Sequence, residues 1–111
     1  MQYATAKTKY VRISPQKVRP TAALIRGMSV PEAMQQLSRM GNKAGPLLKK
    51  TLHSAVANAE LQLDARPESL SVAKVLVDEG PRAKRANAKN RGGRHPILKR
   101  SSHFTIVVEV Q

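Results

Sequence analysis

The sequence has 111 residues, 41% of them hydrophobic, and its 20 Lys and Arg against 7 Asp and Glu give a net charge of +13. That length predicts one domain over residues 1–111, with one modest core. The absence of cysteine excludes a disulfide framework and a thiolate zinc site, and no apolar run approaches the roughly 18 residues of a membrane span. Such a charge predicts a polyanionic partner, either nucleic acid or an anionic membrane surface.

The positive charge is concentrated in two segments. Residues 1–29 carry six basic side chains and no acidic ones, and residues 80–103 carry eight basic side chains and no acidic ones. Between them, residues 30–79 hold six of each sign and are therefore neutral. A chain that was basic only for solubility would spread the excess evenly. The distribution instead predicts two surfaces that face a polyanion.

The first predicted elements are an edge strand and a helix. The β-branched and aromatic residues of YATAKTKYVRI predict the strand. The residues that share one of its faces are Tyr3, Thr5, Lys7 and Lys9. Ser14 is a good N-cap and Pro15 is tolerated in a first turn, so a helix is predicted in PQKVRPTAALIR, ending at Gly27. Pro20 lies inside this helix and removes one hydrogen bond, which predicts a kink rather than a break.

Two more helices are predicted in the neutral segment. The motif SVPE predicts a capping box of Ser29 with Glu32, opening a short helix that runs to Met40. The longest helix lies in GPLLKKTLHSAVANAELQL, where apolar residues recur at three- and four-residue spacings. The predicted apolar stripes are Val30, Ala33, Met34 and Leu37 in the first helix, and Leu48, Leu52, Ala55, Val56, Ala59 and Leu63 in the second. Asn58 lies near the second stripe, so its amide is expected to have a partner.

Two strands, LSVAKVLVDE and HFTIVVEV, lie near the end of the chain. The side chains that the second strand turns inward are Phe104, Ile106, Val108 and Val110. Strands adjacent in sequence usually pair, so these two are predicted to be antiparallel, with residues 80–102 between them as a basic β-hairpin that we call the arm. The predicted fold is α+β: a small antiparallel three-stranded sheet with three helices packed on one face and a long protruding β-hairpin.

The composition of the arm predicts that a partner molecule surrounds and stabilises it. A lone two-stranded ribbon is marginally stable in water, and unopposed cations weaken it further by repulsion. Gly92 and Gly93 permit a turn with positive φ at the tip. Because the chain has only two Tyr, one Phe and no Trp, none of them in the arm, a row of platforms for single-stranded bases is disfavoured. Binding is expected through shape and phosphate backbone.

No enzyme or metal site is predicted. His53, His95 and His103 have no partners at metal-ligand spacing, and Glu60 and Asp64 share a helix face without a nucleophile beside them. The stretch GNKAG lacks the spacing of a phosphate loop. The sequence therefore predicts no catalytic residue, cofactor, metal or small-molecule substrate, and no membrane partner, because no segment has the apolar face of a membrane-surface helix.

Four stretches in order, YVRISPQKVRPTAALIRG, SAVANAE, VDEGP and ILKRSSHFTIVVEV, span nearly the whole chain. They closely resemble the family of ribosomal protein number 22 of the large subunit. The resemblance implies a structural constituent of the large ribosomal subunit, in a cytoplasmic ribosome or in an organellar one. In that family the body lies near the outer opening of the peptide exit tunnel, and the hairpin runs inward through the RNA. The tip of that hairpin lines the tunnel, and we expect the arm to bridge distant RNA segments during assembly.

The resemblance also implies partners and contact residues. The partners are 23S-type rRNA, neighbouring proteins that include large-subunit protein number 4 near the tunnel constriction, and transiently the nascent peptide. The candidate rRNA-binding residues that it implies in the body are Arg12, Ser14, Lys17, Arg19 and Arg26, and the charge of the first strand adds Lys7 and Lys9. Those that it implies in the arm and its base are Arg82, Lys84, Arg85, Lys99, Arg100, Ser101 and His103, and the charge of the arm adds Lys89, Arg91 and Arg94. The tunnel-lining tip is Ala88, Lys89, Asn90, Arg91, Gly92, Gly93 and Arg94.

The tip departs from the family pattern, which commonly reads Pro-Arg-Ala-x-Gly-Arg-Ala. The matching stretch here is AKNRGGR, in which Gly93 replaces an arginine and Arg94 stands one position later. A DNA-bending architectural protein with a cationic β-arm is the alternative function. Such proteins wedge an apolar side chain between base steps, whereas Pro96, Ile97 and Leu98 lie on the returning stem of the arm rather than at its tip.

Overall fold

The computed structural model describes residues 2–81, 83–88 and 94–111, with side chains described outside residues 82–99. Its elements are β1 (Tyr3–Val11), α1 (Pro15–Ile25), α2 (Val30–Arg39), α3 (Ala44–Leu63), a 3-10 turn (Pro67–Ser69), β2 (Leu70–Glu79), β3 (Ala83–Ala88), β4 (Arg94–Lys99) and β5 (Ser102–Val110). Across these residues, no helix is both long enough and apolar enough to cross a membrane.

The main sheet has the strand order β1-β5-β2, and β5 is antiparallel to both of its neighbours. Ile106 of β5 lies opposite Ala6 of β1 and Val75 of β2. The predicted antiparallel pairing of β2 with β5 is therefore confirmed. One irregularity interrupts the β1–β5 register between Thr8 and Val11.

The helices pack on one face of this sheet, which confirms the predicted α+β class. α3 packs on β1 and β5, and α1 packs on β2. The predicted alternation of β1 is also confirmed, since Ala4 and Ala6 are buried and the residues between them and beyond are exposed: Tyr3, Thr5, Lys7 and Lys9. Of the predicted inward residues of β5, Phe104, Ile106 and Val108 are buried and Val110 is partly buried.

Helix α1 begins at Pro15 with Ser14 at the N-cap position, although the Ser14 side chain makes no capping hydrogen bond. The helix continues through Pro20 without a break, as predicted, because Pro20 is exposed and water can satisfy the carbonyl whose partner it removes. Gly27 follows with a φ of 81°, a left-handed conformation that favours glycine. α1 buries Val18, Ala22 and Ile25 as predicted.

The predicted capping box at the start of α2 is wrong. Ser29 occupies the N-cap position, but its side chain makes no capping hydrogen bond. The physical reason is that this segment pairs with the edge of β2: Gly27 N donates to Val72 O at 2.9 Å, and Val72 N donates to Met28 O at 2.8 Å. Strand-like pairing therefore fixes this helix start. The predicted stripe of α2 lies inward, with Val30, Ala33 and Leu37 buried and Met34 partly buried.

The stretch GNKAG is the start of α3. Asn42 Oδ1 accepts a hydrogen bond from Gly45 N at 3.0 Å, so the amide side chain satisfies one of the unpaired N–H groups of the first turn. A Cβ atom on Gly45 would lie 2.8 Å from Leu37 O, so this glycine lets α2 and α3 approach closely. Further along, Asn58 Nδ2 donates to Thr5 O at 2.9 Å, which confirms the expected amide partner.

The apolar stripe of α3 supplies much of the core. Leu48, Leu52, Ala55, Val56 and Ala59 are buried as predicted, and Leu63 is partly buried against them. These residues meet Phe104 and Ile106 from the central strand, both fully buried. At about 25 cal/mol per Å² of apolar surface removed from water, this contact is the dominant stabilising term of the body.

Strands β3 and β4 form a second sheet of two antiparallel strands. Their register runs from Ala83 opposite Lys99 to Ala88 opposite Arg94. The turn that would join them, residues 89–93, lies outside the described residues, as do the side chains of both strands. The long projection of the arm and the structure of its tip therefore stay predictions.

Candidate nucleic-acid interface

The six basic residues predicted for the body all reach solvent. Lys7 and Lys9 lie on the outward face of β1, Arg12 lies in the turn after it, and Lys17, Arg19 and Arg26 lie on α1 or directly after it. Ser14, which was predicted with them, is partly buried at the start of α1. The basic N-terminal segment is therefore divided between one exposed strand face and one helix.

Two of these residues also protect an edge of the sheet. Arg26 donates to Val75 O from Nη2 at 2.6 Å and from Nε at 3.2 Å, and Arg19 Nη2 donates to Val77 O at 3.4 Å. Together with residues 27–29 they occupy the outer edge of β2, where unpaired carbonyls would otherwise remain. A guanidinium has five N–H donors, so both side chains retain donors for a phosphate. This structural role of the two arginines was not predicted from the sequence.

At the base of the arm, the residues that follow β2 are hydrogen-bonded to the residue that precedes β5. Gly80 N donates to Ser101 O at 2.9 Å, and Ser101 Oγ donates to Pro81 O at 2.8 Å. A Cβ atom on Gly80 would lie 2.5 Å from Ser101 Oγ and 3.2 Å from His103 Cε1. A Cβ atom here would displace the Ser101 hydroxyl from its bond to Pro81 O, so this closure favours glycine. The hydroxyl of Ser101 thus serves the chain itself, and its contact with RNA stays a prediction.

The turn after β1 is attached to the same base. Ser102 is fully buried, and its Oγ donates to Ile13 O at 2.6 Å. Lys43 Nζ donates to Arg12 O at 2.9 Å, which brings a lysine of the neutral segment beside an arginine of the basic one. These bonds connect the basic turn, the start of α3 and the base of the arm. Ser102 and Lys43 carried no sequence signal for this role, because both partners are backbone carbonyls.

Tyr10 and His103 meet at the irregularity in β1. Tyr10 has a φ of 60°, and its backbone N donates to His103 Nδ1 at 3.1 Å. The two rings are 5.0 Å apart between centroids and nearly perpendicular, at 89°. His103, predicted as an RNA contact, is only partly exposed and holds a backbone amide of its own chain.

The neutral segment carries a local basic surface on α3. One open hollow of about 480 Å³ on α3 is lined by Pro46, Lys49, Lys50, His53, Ser54 and Ala57, without an acidic residue. Another, of about 560 Å³, is lined by Gln2, Leu63, Asp64, Ala65, Arg66, Glu68, Ser69 and Val110. The first half of α3 therefore presents a basic surface that the net charge of residues 30–79 concealed.

The remaining candidates fall into two groups. Arg100 is exposed. The side chains of Arg82, Lys84, Arg85, Lys89, Arg91, Arg94 and Lys99, and the tip residues Ala88, Asn90, Gly92 and Gly93, lie outside what the structure describes. Among the residues whose side chains are described, no group of three His, Asp or Glu is placed to hold a metal ion.

Comparison with known proteins gives one consistent match. The model of the family described as Ribosomal protein L22p/L17e matches residues 6–109. The chain is 64% identical over 108 residues to the large ribosomal subunit protein uL22 of Protochlamydia amoebophila, a match that covers 97% of each chain. It is 55% identical to the protein of that name in Chlamydia abortus and 53% identical to the one in Chlamydia pneumoniae, each over 103 residues and 93% of both chains.

Proposed function

The chain belongs to the ribosomal protein L22p/L17e family, and from that membership we propose how it works as a structural component of the large ribosomal subunit. Its body binds 23S-type rRNA through the basic N-terminal segment. Its arm bridges distant rRNA segments during assembly and then lines the peptide exit tunnel. The family is one of structural proteins rather than enzymes, so the chemistry of the protein is the neutralisation and organisation of phosphates.

The observation that carries this proposal is the construction of the arm base. The two strands that lead into the arm, β2 and β5, are the edge and the centre of the main sheet, and Gly80 is hydrogen-bonded to Ser101 where they leave it. The basic turn at Arg12 is attached beside them through Ile13 and Ser102. The basic turn and the base of the arm therefore lie side by side, where the cations of body and arm can face one RNA surface.

The energetics favour folded RNA as that partner. Each phosphate neutralised by Lys or Arg releases condensed counterions, so affinity falls with salt by roughly 0.7 to 0.9 logarithmic units per contact and per tenfold rise in salt. Eight basic residues and no acidic ones in residues 80–103 require many such contacts. RNA that encloses the arm supplies them from several sides, and the absence of aromatic residues in the arm fits binding by shape rather than by reading bases.

The further partners of the proposal follow from where the arm would reach. At the tunnel constriction the tip, residues 88–94, lies beside large-subunit protein number 4 and transiently contacts the nascent peptide. The basic surface of α3 at Lys49 and Lys50, both on one side of that helix with His53, offers a third place for rRNA contact. The site of action is the ribosome, which in bacteria is cytoplasmic.

Deletion of residues 82–99 tests the bridging role. The body keeps its sheet, helices and core, so we expect the shortened chain to fold with a cooperative thermal transition. Large subunits assembled with it are expected to accumulate as incomplete particles and to lack density along one wall of the tunnel in electron cryomicroscopy. Particles that assemble fully with an unaltered tunnel would contradict the bridging and tunnel-lining roles.

Competition binding separates the proposal from the DNA-bending alternative. The full chain, bound to labelled 23S-type rRNA at physiological salt, is challenged with unlabelled duplex DNA and with unlabelled rRNA at equal phosphate concentration. We expect the rRNA to displace the label at a concentration at least tenfold lower than the DNA. Equal competition by the duplex, accompanied by bending of that duplex, would favour an architectural DNA-binding protein.

A further inference from the structure

We propose that Tyr10 is a stacking platform for one unpaired base of the RNA that surrounds the base of the arm. This inference rests on the proposed function, because it names the part of the RNA that one body residue binds. The sequence disfavours a row of stacking platforms, since Tyr and Phe together number three in the whole chain. A single platform outside the arm is a different arrangement, and the structure supplies its geometry.

The backbone of Tyr10 is the first observation. Its φ of 60° lies in the left-handed region, which is unfavourable for a residue with a large side chain. Backbone conformations of this kind persist where the surroundings enforce them, and they cluster at functional sites. Here the enforcement is visible: the β1–β5 register shifts between Thr8 and Val11, and Tyr10 N is bonded to His103 Nδ1.

The ring of Tyr10 is the second observation. It remains 65% exposed, more than the 49% of Tyr3 in the regular part of the same strand. Its contact with His103 is perpendicular, at 89° with the centroids 5.0 Å apart, so the imidazole fixes the ring without stacking flat upon it. A held and exposed aromatic ring presents the flat surface on which a nucleobase stacks.

The charged residues around Tyr10 indicate which kind of molecule binds at its ring. Lys9 precedes it and Arg12 follows it by two residues, and both are exposed. Lys43 is bonded to the carbonyl of Arg12, which adds a third cation. A nucleotide combines a flat base with a phosphate, and this surface combines a free ring with cations. An apolar peptide would use the ring alone and leave the cations without partners.

The experiment compares two probes of equal length and charge. One is a ribose–phosphate decamer that carries adenine at every position, and the other is the same decamer without bases. The full chain and its Tyr10→Leu, Tyr10→Phe and Tyr3→Leu variants are titrated with both. We expect Tyr10→Leu to weaken binding of the adenine decamer by about 5- to 150-fold, the range of one base–aromatic contact, and to leave the abasic decamer within twofold. Tyr10→Phe and Tyr3→Leu are expected to leave both affinities within twofold.

A Tyr10→Gly variant distinguishes the loss of the aromatic ring from a loss of folding. Glycine adopts positive φ without strain, so this variant keeps the backbone of the irregularity and removes only the ring. It is expected to melt no lower than the parent chain and to lose the same preference for the adenine decamer. Retention of that preference in Tyr10→Gly, or an equal loss on both decamers, would overturn the stacking role.

Failure of the proposed function has a different signature. If the unaltered chain binds neither decamer nor 23S-type rRNA at physiological salt, the RNA-binding function itself is wrong. If it binds the rRNA and both decamers, and Tyr10→Leu changes nothing, only the stacking role is wrong.

Discussion

The body and the arm are made of the same kind of strand and differ in what stabilises them. In the body, the pairing of β1, β5 and β2 is backed by buried side chains such as Phe104, Ile106 and Leu52. In the arm, β3 and β4 pair along the backbone, and their sequences contain four cations and only two large apolar residues, Ile97 and Leu98. The difference shows that backbone pairing alone is not enough to stabilise two strands. Burial of apolar side chains decides whether the paired strands are stable without a partner.

The strongest test of this difference is to remove one large apolar side chain from each region. Phe104→Ala is expected to lower the free energy of unfolding by about 3–5 kcal/mol, because it leaves a cavity in a fully buried site. Ile97→Ala in the arm is expected to change it by less than about 0.5 kcal/mol. Urea denaturation of the free chain measures both. An equal loss in the two variants would show that the arm has a core of its own.

The junction between the two regions gives the second prediction. Gly80→Ala places a Cβ atom against Ser101 Oγ and His103 Cε1, so it is expected to destabilise the body by about 1–3 kcal/mol through overpacking. The matched control is Gly41→Ala, where a Cβ atom would meet nothing within 4 Å and little change is expected. Thermal unfolding compares them. A Gly80→Ala variant as stable as its control would contradict the tight closure of the arm base.

The smallest effect concerns single cations. Lys17→Gln, on the exposed side of α1, is expected to reduce the salt dependence of 23S-type rRNA binding by roughly 0.7 to 0.9 of a unit, the value of one phosphate contact. Lys74→Gln is the control, since Lys74 is also exposed but lies outside both basic segments. Binding titrations at salt concentrations between about 50 and 200 mM measure the salt dependence of both variants. Equal slopes in the two variants would remove Lys17 from the interface.

The sequence predicted those features that depend on local pattern. The alternation of Ala4 and Ala6 in β1 and the stripe of α3 through Leu48 and Leu52 are confirmed because burial on one face imposes a period of two or of about 3.6 residues. The capping box at Ser29 failed, because pairing of residues 27–29 with β2 replaced it. A motif of four residues cannot reveal that pairing with a distant strand, rather than a side-chain cap, holds the start of a helix.

The sequence predicted which charged residues belong to the candidate site, but it did not predict the hydrogen bonds that join them to the rest of the fold. The exposure of Lys7, Arg12 and Lys17 follows from their charge. The contacts of Arg26 with Val75 O and of His103 with Tyr10 N join residues far apart in the chain, and each uses a backbone group that every residue possesses. Such contacts leave no mark in the sequence, so the strained Tyr10 was visible only in the structure.

Hydrogen exchange of the arm amides tests the central claim most directly, namely that folded RNA supplies the stability that the arm lacks. In the free chain, the amides of β3 and β4 are expected to exchange far faster than those of β5, because the sequence of the arm supplies few apolar side chains to bury. Bound to 23S-type rRNA, the same amides are expected to slow by at least a hundredfold. Protection of β3 and β4 equal to that of β5 in the free chain, unchanged by rRNA, would contradict the account.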